Sequence, residues 1–116
     1  RQPRVLVVAR ESVLAALIGM LLELEQYEPV FPDPGERPEE AIRRLRPPLV
    51  VVLDGQLDEA SSDLFFARAQ QGGARVVLFS EPVAADAVQA VARERRVPFF
   101  SMPVDRATLG RLLAGA

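Results

Sequence analysis

Four short runs of almost unbroken apolar, mostly β-branched residues constrain this chain more than any other feature. They are Arg4–Val8, Leu49–Leu53, Arg75–Phe79 and Val97–Phe100. A strand wetted on one face alternates apolar and polar residues. These runs do not alternate, so each reads as a strand buried on both faces, the habit of parallel sheets. A weaker run, Pro29–Phe31, is flanked by Pro29 and Pro32. Proline lacks the N–H that a central strand must donate, so this run fits only a sheet edge.

Segments with helical spacing fill the intervals. Ser12 to Glu28 is the longest. Pro38 to Arg46 sets Ala41, Ile42 and Leu45 on one face, with Pro38 in its first turn. Ser61 or Ser62 can cap a helix over Asp63 to Gln71, which Gly72 and Gly73 end. Val83 to Arg96 repeats Ala84, Ala87, Val88 and Val91, and Asp105 can cap a last helix carrying Leu109, Leu112 and Leu113. Five β-α units in 116 residues imply one α/β domain over the whole chain, a doubly wound parallel sheet with helices on both faces. In such sheets chemistry gathers at the carboxyl ends of the strands. The positions of interest are therefore Ala9-Arg10-Glu11, Asp54-Gly55-Gln56, Ser80-Glu81 and Ser101-Met102-Pro103.

Composition removes many chemistries. The chain has no Cys, no His and no Lys, and its 14 basic residues are all Arg. Thiol nucleophiles, Ser-His pairs and His- or Cys-ligated metals are thus impossible within it. A net charge of −2 speaks against direct nucleic-acid binding. The longest apolar stretch, Val13 to Leu22, has ten residues and is too short for a bilayer. No signal-peptide pattern opens the sequence, so a cytoplasmic, soluble domain is expected. Because the chain begins with Arg1 rather than Met, a piece of a longer protein is expected too.

Asp54 directly follows an all-apolar run, where a carboxylate makes poor core material. It is either a solvated cap for the next turn, helped by Gly55, or an exposed nucleophilic or metal-binding carboxylate. Spacing alone slightly favours the cap.

Five stretches taken in order resemble the receiver (CheY-like) domain of bacterial two-component response regulators. Arg4–Val8, Leu21–Glu28 and Arg44–Asp54 resemble the family's first strand, first helix and third strand. Val76–Ser80 resembles its fourth strand, which ends in Ser or Thr, and Phe99–Val104 its fifth, which ends in Lys-Pro. The resemblance implies a flavodoxin-like sheet in the order 2-1-3-4-5 flanked by five helices. It also implies a phosphorelay role, in which a partner's phosphohistidine passes its phosphoryl group to an Asp, here Asp54. In the family, two acidic residues after the first strand hold Mg²⁺ with that Asp and a backbone carbonyl two residues on, here Gln56. The Ser/Thr and Lys grip the phosphoryl oxygens, and an aromatic three residues before the Lys reports the state. Ser80 and Phe99 occupy two of these positions.

The other positions depart from the pattern. The acidic pair is Ala9 and Arg10, the Lys is Met102, and the residue after Ser80 is Glu81. Mg²⁺ needs oxygen ligands in near-octahedral array. Ala9 offers none, and Arg10 brings a permanent positive charge. Met102 has no N–H to donate. The expectation is an atypical, degenerate receiver (a pseudo-receiver) that is not an enzyme and needs no cofactor. Arg10 pairs there with Asp54 and with Glu11 or Glu81. Ser80 is expected to cap a turn, Phe99 to pack in the core, and the Met102–Pro103 bond to be cis as in the family's Lys-Pro. The alternative is a working receiver in which Glu11 helps bind Mg²⁺ and Asp54 accepts a phosphoryl group from a histidine kinase. A flavin or nucleotide binder is a third possibility, but Ala9-Arg-Glu-Ser-Val13 lacks the Gly, Ser and Thr of such phosphate loops.

Expected partners are a histidine kinase, a phosphotransfer protein or an output domain, with a homodimer also possible. On a helical wheel Val13, Leu14, Leu17, Met20, Leu21 and Leu24 share one broad face suited to the core, with Ile18 and Leu22 beyond its edge. The same residues would form an apolar docking strip if exposed. Gln89, Arg93, Arg96, Asp105, Arg106 and Arg111 are expected on an ordinary solvated surface. Arg43, Arg44 and Arg46 follow Glu36, Glu39 and Glu40, a pattern that ion pairing along one helix explains.

Overall fold

The structure, a computed structural model, describes residues 2–53, 62–102 and 105–115, residues 112 and 115 by their backbone alone. Its strands are β1 (Arg4–Val8), β2 (Glu28–Val30), β3 (Leu49–Leu53), β4 (Arg75–Ser80) and β5 (Phe99–Ser101). Its helices are α1 (Ser12–Leu24), α2 (Pro38–Leu45), α3 (Asp63–Gln71), α4 (Ala85–Arg95) and α5 (Arg106–Gly115). All strand pairs are parallel, and the sheet order is β2-β1-β3-β4-β5. The doubly wound architecture expected from the runs is therefore present, including β2 at an edge.

The period-2 geometry of strands divides the core into two layers. Val5, Val7, Val51, Val77 and Phe79 face α1 and α5, where they meet Ile18, Leu22, Leu109 and Leu113. Leu6, Val8, Val50, Val52 and Leu78 face α2, α3 and α4, where they meet Ile42, Phe65, Ala69 and Val88. All five residues of β3 are at most 2% exposed, so neither face of this central strand reaches water. Burial of each such side chain is worth roughly 1.5–3 kcal/mol.

Local signals set the helix ends. The Arg37 backbone N–H donates to the Glu40 carboxylate at 2.9 Å, and Pro38 opens α2. Ser62 accepts from the Phe65 N–H at 3.1 Å to cap α3. Asp105 accepts from the Thr108 N–H at 2.7 Å to cap α5, and that bond holds its carboxyl below the usual range. Arg46 and Arg96, both left-handed at φ 47° and φ 58°, close α2 and α4.

Several boundaries differ from the sequence expectation. The first helix stops at Leu24, not Glu28, because Gln26 turns left-handed at φ 67° and the Tyr27 N–H reaches back to the Leu22 carbonyl. That turn frees Glu28 to start β2, one residue earlier than expected, and leaves Phe31 outside it. Pro82–Ala84 forms a 3₁₀ turn ahead of α4, and β5 begins at Phe99 after Pro98. Glu36 lies ahead of α2 rather than on it. Its carboxylate takes Arg44 in two bonds of 2.8 and 2.7 Å across eight residues, so this pair is not helix-internal.

The largest correction concerns α1. Of the face expected to enter the core, Leu14 and Leu21 do pack against it, half-buried, but Val13, Leu17, Met20 and Leu24 lie outward, 78%, 46%, 61% and 51% exposed. Ile18, Gly19 and Leu22 are the buried residues. The reason is steric. Gly19, together with Ala15, makes the sheet-facing side shallow, so the helix axis comes close to β1 and β2. A Cβ at Gly19 would stand 3.4 Å from the Phe31 ring, so the ring lies directly over this helix. At the other end Arg106 of α5 donates through Nε to Glu25 at 2.6 Å and through a terminal nitrogen to the Leu24 carbonyl at 3.0 Å. This contact ties the end of α1 to α5.

Two outcomes are expected. Ile18→Ala should cost about 2–5 kcal/mol of unfolding free energy, whereas Met20→Ala should change it by no more than about 0.5 kcal/mol, as read by urea denaturation. Glu36, held by Arg44, should titrate at about 2 rather than 4.5 when followed by NMR. A carboxyl depressed on folding stabilises the native state above its unfolded pKa, so this contribution is lost as pH falls from 4.5 toward 2. Arg44→Ala should return the Glu36 titration to the ordinary range.

Candidate functional site

The carboxyl ends of β1, β3, β4 and β5 meet at one rim. Val8 pairs with Val52, and Val52 with Leu78. One step further Leu53 pairs with Phe79, and Phe79 with Phe100. Ser80 pairs with Ser101, and the Met102 N–H donates to the Ser80 carbonyl at 2.7 Å to close the last rung. The rim thus brings Ala9 and Arg10, Ser80 and Glu81, and Met102 to adjacent strand ends, beside Leu53, the residue before Asp54.

Each described position has a definite environment. Ala9 is half-buried, its methyl packed on the layer that faces α1 and α5. Arg10 and Glu11 are exposed. Glu11 stands at the N-cap of α1 with extended backbone and no side-chain capping bond. Ser80 is 1% exposed, and its hydroxyl donates to the Glu81 carbonyl at 2.9 Å, so it serves a turn as a capping residue would. Met102 is half-buried against the same apolar layer as Ala9. Phe99 is half-buried on the opposite layer, packed against the core formed with α3 and α4. Its neighbour Phe100 tilts against Phe79 with ring centroids 5.8 Å apart. Asp54, Gln56 and Pro103 lie outside the described residues, and with them the Arg10–Asp54 pair and the cis Met102–Pro103 bond.

A magnesium ion does not fit the described positions. Where two acidic side chains would be required, one position presents a methyl group committed to apolar packing and the other a guanidinium. Among the described residues, no three acidic side chains converge to hold a metal ion.

A cleft of about 630 Å³ opens far from this rim, between α3, the amino end of β4 and the carboxyl end of α4. Arg95 lines it, lying 4.8 Å over the Phe66 ring and pairing with Asp63 at 2.7 Å. That arginine serves to tie α4 to α3. The strand-end rim, not the cleft, is where the sites of doubly wound sheets are built.

The geometry of the whole chain has close counterparts among solved structures. The signal receiver domain of a modulated diguanylate cyclase from Desulfovibrio desulfuricans superposes with a TM-score of 0.75 at 24% identity, covering 98% of this chain and 92% of that one. A response regulator receiver protein from Burkholderia phymatum gives 0.76 at 18% identity, covering 97% and 93%. Chemotaxis protein CheY4 from Vibrio cholerae gives 0.74 at 13% identity, covering 98% of each chain. This is the receiver fold. No protein-family model matches the sequence, and no curated protein does. The likeness is therefore one of backbone fold.

Sequence reasoning placed the rim residues but assigned the outer face of α1 to the core. Two apolar faces on one helix give the same periodicity whichever is buried. The usable signal was Ala15 and Gly19, small residues on the side that meets the sheet.

Proposed function

We propose that this chain is an atypical receiver module of two-component signalling that acts by binding protein partners, without Mg²⁺-dependent phosphorylation. The observation that carries the proposal is the packing of Ala9 and Met102. Both side chains lie against the apolar layer at positions where the receiver pattern has a metal-binding acid and a phosphate-binding Lys. Phosphoryl transfer depends on neutralising charge on the transferring oxygens. An acid that would hold the neutralising metal is replaced by a methyl, and the neutralising Lys by a thioether. The Ser80 hydroxyl is also engaged with a backbone carbonyl.

Arg10 takes over the electrostatic part of the missing metal. A carboxylate at the end of a buried strand needs a counter-charge or it takes up a proton. A guanidinium supplies that charge and can bind a carboxylate with two bonds. A receiver held in this way does not cycle with phosphate. Its partners, whether a histidine kinase, a phosphotransfer protein or an output domain, read a fixed surface. No described helix is long and apolar enough to cross a membrane.

Incubation with Mg²⁺ and acetyl phosphate, followed by intact-mass measurement, should show the unmodified mass. A gain of one phosphoryl group that Asp54→Asn abolishes would support the working-receiver alternative instead. Arg10→Ala and Asp54→Ala, singly and together, should show a non-additive effect on unfolding free energy in urea denaturation. Purely additive effects would remove Arg10 from the site.

A further inference from the structure

We propose that the cleft at the amino end of β4 binds the carboxyl-terminal residue of an apolar peptide. The cleft lies at the opposite end of the sheet from the strand-end rim, and the proposal stands apart from the assignment above.

A mismatch at the sheet edge creates the site. Pairing of β4 with β5 starts only at Leu78 and Phe99, whereas β4 itself starts at Arg75. Successive residues of a paired strand turn their N–H and C=O toward opposite neighbours. The Arg75 N–H donates to the Pro48 carbonyl on the β3 side, and the Leu78 N–H to the Pro98 carbonyl on the β5 side, both at 3.0 Å. Val76, two residues before Leu78, therefore turns its N–H and carbonyl toward the β5 side as well. Strand β5 has not begun there. Pro98 has no N–H to give the Val76 carbonyl, and Arg96, whose carbonyl is next in register, is the left-handed cap of α4. Among the described residues the Val76 N–H has no acceptor on this side.

That backbone pair identifies the occupant. Val76 is 5% exposed and lines the cleft. Buried main-chain groups without partners are rare and costly. One residue placed antiparallel to Val76 would exchange both bonds with it, its N–H donating to the Val76 carbonyl and its own oxygen accepting from the Val76 N–H. At the end of a peptide that oxygen belongs to the terminal carboxylate, so a single residue supplies the donor, the acceptor and a negative charge.

Charge and shape agree. Three arginines, Arg75, Arg95 and Arg96, line the cleft with one acid, Glu94. Asp63, paired with Arg95 at 2.7 Å, adds a second acid and leaves one positive charge over, in a chain whose net charge is −2. A single carboxylate balances it. Arg95 is already engaged by Asp63 and the Phe66 ring, and Arg75 donates to the Leu113 carbonyl at 3.4 Å. Arg96 is exposed, has no acidic partner among the described residues, and can bind a carboxylate with two bonds. The apolar lining comes from Ala69, Ala74 and Val97. Ala69 and Ala74 are small, and the turn through Gly73 at φ 73° brings the Ala74 N–H back to the Ala69 carbonyl at 2.8 Å, which clears the space beside them. At about 630 Å³ the cleft has the size of a small-molecule site, roughly 300–1,000 Å³.

The probe is N-acetyl-valyl-leucine with a free carboxylate. Titrated into the isotopically labelled chain, it should move the Val76 and Val97 amide resonances and slow exchange of the Val76 N–H with solvent. Its carboxamide should bind at least about tenfold more weakly, because the charged acceptor is lost. A probe methylated on the leucine nitrogen should weaken similarly, because it cannot donate to the Val76 carbonyl. Arg96→Gly suits the left-handed backbone there and removes the guanidinium. It should weaken binding about tenfold, while circular dichroism shows a folded protein. An unmoved Val76 resonance at about 1 mM peptide would overturn the proposal. So would equal binding of acid and carboxamide, shifts confined to the exposed apolar side of α1, or an Arg96→Gly chain that binds as the parent does.

Discussion

Burial of β3 on both faces is the constraint from which the other features descend. A strand whose five residues are all inaccessible to water must hydrogen-bond to neighbours on each edge and be covered by helices above and below. That requirement places β1 and β4 beside it and splits the helices into a pair, α1 and α5, on one side and a trio, α2 to α4, on the other. It also fixes where chemistry can occur. The apolar run ends at Leu53, and the next residue, Asp54, is the first along that strand to bring a charge.

Most of this was legible because strand burial is written directly in composition. Leu49–Leu53 and Arg75–Phe79 have no polar residue inside them, and no other placement satisfies such runs in a soluble fold. Caps were legible for the same local reason: Ser62 and Asp105 bond to N–H groups three residues on, a distance the sequence itself sets. What escaped was whatever depended on contacts distant in sequence. The end of α1 is decided by the left-handed turn at Gln26, and that end is tied to α5 by Arg106, 81 residues from its partner Glu25. Periodicity showed that the helix had apolar residues around much of its circumference, but it could not say which side would meet the sheet. Glu36 shows the same limit on a smaller scale, since its pairing with Arg44 depends on the loop that folds back ahead of α2.

The rim residues form a consistent set once charge is followed rather than residue names. A receiver of the ordinary kind concentrates negative charge at the strand ends and balances it with a divalent ion and a lysine. Here Ala9 and Met102 pack on the apolar layer, and Arg10 stands after the first strand where the family pattern has an acid. The lysine-free composition does not by itself account for this. A uniform exchange of Lys for Arg would have left a cation at Met102, yet the position became apolar, while a cation entered at Arg10. The substitutions act together on net charge: two acids and one base are lost and one base is gained.

Ser80 is buried and bonded to the backbone, and Phe99 is packed into the α3–α4 layer, so each is held by contacts of its own. The outer surfaces differ from one another. The α4 and α5 faces carry mixed charge, and exposed pairs of this kind contribute little to binding. The outer side of α1 differs in kind, being a line of exposed apolar side chains with one acid at its end. Desolvation of such a line gives affinity without any change at the rim. The described strand-end positions Ala9, Ser80 and Met102 carry no charge, while the outer side of α1 exposes apolar side chains, so the two surfaces offer different chemistry.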